Sequence, residues 1–136
     1  MKYNDMEKSV LACFMIKPDL MKETILTEEH FINHKEVWNY FRKFYDTFDT
    51  LDLSMMMSFA KNKNKVLMMV MELMDYDVLV SRFKIYEQRL IEMSKEEEKE
   101  MRLIRIASDL LLDLQFHKIN FEQFKDEINR LYETSR

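Results

Sequence analysis

His30 and His34 stand four residues apart, with Glu28 and Glu29 just before them. On one helix that spacing would set both imidazoles on one face beside two carboxylates, a donor set able to hold a metal ion. Asn33 and Glu36, however, have the spacing of a capping box, which predicts that a helix begins between the two histidines and separates them. His117 stands alone near an expected helix end, where an imidazolium favours the dipole. Cys13 lies in an apolar helical run and reads as a core residue rather than a nucleophile. Lys61, Lys63 and Lys65 alternate with Asn62 and Asn64 and form the only basic cluster, which reads as a solvated polar loop. The chain has no Gly, so it cannot build the Gly-rich loops that bring backbone N–H groups against phosphates, nor a Gly-x-Ser-x-Gly nucleophile elbow. No two carboxylates fall in a buried apolar setting suited to paired acid–base work. The expectation is a protein with no catalytic site, no cofactor and no metal.

The elements that would carry these residues are helices. Gly is absent and Pro occurs once in 136 residues, which removes the usual hairpin turns and predicts an all-α fold. A helix is expected from Asn4 or Asp5, with Asn4 and Glu7 as its capping box and Val10, Leu11, Phe14 and Met15 as its stripe. Pro18 ends it and opens a short second helix carrying Leu20, Met21 and Ile25. Thr27 caps a turn through His30. A helix beginning at Asn33 carries Val37, Trp38, Phe41, Phe44, Tyr45 and Phe48 as core. Ser54 or Asp52 caps a Met-rich helix, and another runs from Lys65 to about Met74. Met68, Met69, Met71 and Met74 either fill a core or form an adaptable surface.

From Val78 to about Phe116 there is no breaker, which predicts one long helix or two nearly collinear ones meeting around Ser94. At 100° per residue, Leu103, Ile104, Ile106, Ala107, Leu110, Leu111 and Leu114 share one face, while Leu112 and Phe116 lie nearly opposite. A turn at His117–Asn120 leads to a last helix, capped by Asn120 with Gln123 and striped by Phe121, Phe124, Ile128, Leu131 and Tyr132. The layout is a globular helical head (1–76) followed by a long helix and helical hairpin (77–136). A hairpin is too thin to bury both faces of its first leg, so it should pair with another copy or another protein. Leu112, Phe116, Phe121, Phe124 and Ile128 are the residues expected to carry that contact.

Charge and hydropathy narrow the class further. The net charge is −4, so direct nucleic-acid binding through phosphates is not expected. No apolar stretch is long enough to span a membrane. The N-terminus lacks a signal-peptide apolar segment, and the single Cys excludes an internal disulfide, so a cytoplasmic protein is expected.

Glu7-Lys8-Ser9-Val10-Leu11-Ala12-Cys13-Phe14-Met15-Ile16-Lys17-Pro18-Asp19-Leu20 resembles the opening of the N-terminal domain of DnaB-type replicative helicases. Leu26-Thr27-Glu28-Glu29-His30-Phe31 is similar to that family's Leu-x-x-x-x-Phe segment. Tyr45-Asp46-Thr47-Phe48-Asp49-Thr50-Leu51-Asp52-Leu53 looks like its Tyr-x-x-Gly-x-Pro-Ile-Asp segment. Ala12 and Phe48 replace the family's Gly, and Thr50 its Pro. The resemblance covers about residues 6–57 in detail and the rest in layout. It implies a head and hairpin through which copies pair, with no ATPase domain in this chain. The helicase-binding C-terminal domain of DnaG-type primases has a similar layout.

The function expected is a non-catalytic interaction module of DNA replication. It would self-associate as a dimer or higher oligomer, or dock on a replicative helicase or primase. It would be either a phage or mobile-element protein that recruits, loads or blocks a helicase, or a piece of a full helicase. The alternatives are a primase's helicase-binding domain and a nucleic-acid-binding protein using the Lys61–Lys65 loop.

Overall fold

Val10, Leu11, Ala12, Cys13 and Phe14 are consecutive and all are buried. A helix enclosed on every side lies at the centre of its domain rather than on its surface. That helix, α1 (Tyr3–Ile16), is the axis of the head. A computed structural model of the chain describes residues 2–60 and 63–134. Among these the fold is all-α. After α1 come α2 (Leu20–Glu23), α3 (Lys35–Phe48), α4 (Leu53–Phe59), α5 (Asn64–Met74), α6 (Phe83–Gln115) and α7 (Phe121–Thr134), with 3-10 turns at Glu28–His30 and Val80–Arg82. The chain divides into two compact units, Met1–Ser94 and Lys95–Arg136.

In the first unit, α1 packs on α2 and α5, and α3 packs on α5. The aromatic spacing of α3 buries Val37, Trp38, Phe41, Phe44 and Tyr45. Trp38 stacks on Phe31 at 4.9 Å and meets Phe14 at 5.8 Å, and Phe14 lies 5.3 Å from Phe83 at the start of α6. From α5 the core takes Val66, Val70 and Leu73, spaced for one helix face. Met68, Met71 and Met74 are exposed. The opening turns of α6 add Phe83, Leu90 and Met93 to the core, together with the carboxylate of Glu87. Glu87 accepts the Thr24 hydroxyl at 2.6 Å and the Ile25 N–H at 3.3 Å, which fixes the strand-like stretch after α2. Burial pushes the Cys13 thiol up to about 11, so it stays protonated in the core.

Several helix ends differ from the sequence expectation. α1 begins at Tyr3, so Asn4 and Glu7 lie inside it and form no capping box. α3 begins at Lys35 with His34 as its N-cap residue and no side-chain cap of its own. Ile25 lies beyond α2 and is exposed. At Thr27 the expected cap forms, and its N–H donates to His30 Nδ1 at 2.9 Å. Asp52 caps α4 by accepting the Met55 N–H at 2.9 Å.

Without Gly, the chain ends two helices on residues that tolerate the left-handed region least badly. Asp49 closes α3 at φ 57° and His117 follows α6 at φ 59°. Around His117 the Lys118 N–H reaches the Asp113 carbonyl at 2.9 Å and the His117 N–H reaches Leu114 at 3.2 Å, the two bonds of a Schellman motif. Asp49→Gly should relieve the left-handed penalty, while losing only an exposed 3.5 Å contact to Lys22. A gain of up to about 1 kcal/mol would raise the melting temperature by roughly 4–8 °C. A variant melting below the parent would show that the Asp49 side chain contributes more than its strain costs.

Candidate interaction surface

No described residue of the second unit is buried. Along α6, Leu103, Ala107, Leu110 and Leu114 are half-buried and recur at intervals of four, three and four, the spacing of a helix-pair seam. On α7 the half-buried apolar residues are Phe124, Ile128 and Leu131. The capping box expected at the start of α7 is present: Gln123 Oε1 accepts the Asn120 N–H at 2.9 Å, and Asn120 Oδ1 accepts the Gln123 N–H at 2.8 Å.

Away from that seam the hairpin is apolar and open. Leu112 is 50% exposed, Phe116 71% and Phe121 64%; Ile104 and Leu111 are exposed on a separate flank. Of the residues singled out from sequence, Leu112, Phe116 and Phe121 are therefore at the surface. Phe124 and Ile128 are half-buried within the unit. The wheel makes Leu112 and Phe116 an outer strip one turn apart, opposite the seam.

The polar residues singled out from sequence serve structure in the head. His30 is held by its bond to Thr27. His34 Nε2 is bonded to Asn4 Oδ1. Glu28 pairs with Lys35 at 3.8 Å across the turn. Among the described residues no group of three His, Cys, Asp or Glu side chains could hold a metal ion. Lys61 and Asn62 lie outside the described residues. Lys63 sits over the Tyr40 ring at 5.4 Å, whereas Lys65 lines a different cleft, beside Asn33 and His34.

What the sequence reading missed is Glu7. Fully buried on α1, it accepts from the Asn33 N–H at 3.1 Å, the Asn33 side-chain amide at 2.7 Å and the His34 N–H at 3.1 Å. It thus caps α3 from another helix. Burial pushes its carboxyl above the ordinary value, against the pull of those hydrogen bonds.

Burial lowers the His34 imidazole from its ordinary 6.5, with nearby Lys8 pushing the same way and Glu72 opposing. The unfolded chain then takes up the proton first as pH falls, so the contribution of neutral His34 is present above the ordinary value and is lost on acidification below it. Melting temperatures from about pH 7.5 to about pH 5.5 should fall more steeply for the parent than for His34→Gln. Parallel curves would exclude His34 as the titrating group.

The head is a layered helical domain centred on α1, and the second unit is a helical hairpin with an open apolar strip. The first of these units has a family counterpart. The family model for the DnaB-like helicase N terminal domain matches residues 1–92. The chain belongs to that family, and is a helicase-associated domain of DNA replication. The matched domain is not the ATPase domain. No curated protein and no solved structure matches the chain. No described helix is long and apolar enough to cross a membrane.

Proposed function

We propose that this chain is a non-catalytic association module, which joins copies of itself or docks on a replicative helicase or primase through its hairpin. One observation carries this reading: a unit without a single buried described residue still displays Leu112, Phe116 and Phe121 to solvent. Units of about 40 residues are at best marginally stable on their own burial, and ordering a hairpin costs about 1–2 kcal/mol per residue in backbone entropy alone. An open apolar strip on so thin a unit is best satisfied by a protein partner. The family match supports placing that partner in the replication machinery.

Size exclusion with light scattering tests the proposal, on the chain alone and mixed separately with a replicative helicase and a primase. A mass above the monomer, or co-elution with either partner, is the expected result. A monomer that joins neither overturns the proposal.

A further inference from the structure

The head carries a second open feature, unrelated to the hairpin. Where α3 meets the end of α4, Phe48 and Phe59 lie face to face, 5.1 Å apart and 30° from parallel. Phe44 closes the arrangement at 4.7 Å from Phe48 and 6.5 Å from Phe59. These rings, with Tyr40, line a cleft of about 280 Å³ whose rim holds Lys43 and Lys63. Phe59 is 64% exposed, so its apolar face is open at the cleft rather than spent on the core. Among the described residues neither Lys43 nor Lys63 makes an ion pair, although Lys63 lies over Tyr40. A second, shallower cleft of about 470 Å³ continues past the same two lysines toward Lys35, Glu36 and Asn39.

We propose that this cleft binds an acidic peptide segment of a partner protein, seating one aromatic or large aliphatic side chain among Phe44, Phe48 and Phe59 with flanking carboxylates on Lys43 and Lys63. The charge pattern selects this occupant. Two ammonium groups that make no ion pair among the described residues flank an apolar slot sized for a single side chain, and ammonium groups attract carboxylates without demanding a fixed fork geometry. A nucleic-acid strand would need a longer basic track than the two lysines of this cleft supply. A second copy would bring the same lysines to the contact and gain no charge complementarity.

The test is fluorescence anisotropy with a fluorescein-labelled Asp-Glu-Asp-Phe-Asp-Glu peptide. Saturable binding is expected, weakening about tenfold between about 50 mM and about 300 mM salt as the charge contacts are screened. Replacing the peptide Phe by Ser should weaken binding at least about tenfold. The same loss is expected in Phe59→Ser and in the Lys43→Glu, Lys63→Glu double variant, all at exposed positions where circular dichroism should confirm an unchanged fold. No saturable binding by the parent overturns the proposal. So does tighter, variant-sensitive binding of an oligothymidine, which would make the cleft a nucleic-acid site. Loss of self-association in Phe59→Ser would likewise overturn it, since a second copy would then fill the cleft.

Discussion

Leu112→Glu with Phe116→Glu should leave a folded chain that no longer associates. Both positions are exposed, 50% and 71%, so the substitutions remove no core contact within the unit. In a complex they would be covered. Each loses about 1.5–3 kcal/mol of apolar burial and adds a charge with no partner. Together that exceeds about 4 kcal/mol, a roughly thousandfold weakening, enough to dissociate a micromolar complex at any practical concentration. Light scattering should report the monomer mass while circular dichroism keeps the helical signal. The pair Ile104→Glu, Leu111→Glu provides the comparison, because it lies on the other open flank of α6. If the 112/116 variant keeps the parent mass and the 104/111 variant does not, association uses that flank instead.

The hairpin was legible because its signals are local. Asn120 and Gln123 bond to each other within one turn, and a wheel drawn from sequence separates Leu112 and Phe116 from the seam. The head was legible where aromatic spacing or family pattern spoke, as in α3 and the Pro18 stop. It was misread where residues matching a local pattern were engaged at long range. Asn4, Glu7 and Asn33 each fit a capping box on paper. In the fold they belong to one network between α1 and the start of α3: Asn4 bonds to His34, while Glu7 accepts from Asn33 and His34. No periodicity can reveal that, since the partners are 26 to 30 positions apart. The aromatic cleft was hidden for a related reason. Phe48 reads as core from the stripe of α3, and only the turn into α4 brings Phe59 onto it.

Glu7→Ala is expected to be the most damaging single change to the head. Among the described residues the carboxylate is the only side chain bonded to the backbone N–H groups of Asn33 and His34, since α3 has no side-chain cap of its own. Removing it orphans those donors and opens a space beside Asn33, at about 2–4 kcal/mol. Domains of this size hold about 5–15 kcal/mol in total, so a large part of the stability would go, with a melting temperature lower by roughly 10–25 °C. Glu7→Gln keeps the shape and one acceptor but turns an amide NH₂ toward donors, so it should fall between parent and Glu7→Ala. The two also differ in their pH response. Burial raises the Glu7 carboxyl from the ordinary 4.5 despite the hydrogen bonds it accepts. The folded state therefore holds its proton longer than the unfolded chain, and the contribution of Glu7, full below the ordinary value, declines as pH rises through the raised one. Gln cannot titrate, so the stability gap between parent and Glu7→Gln should narrow from about pH 4 to about pH 7. Chemical denaturation at both ends of that range measures it. A gap that widens instead would mean that the donors of Asn33 and His34 outweigh desolvation and hold Glu7 as the anion.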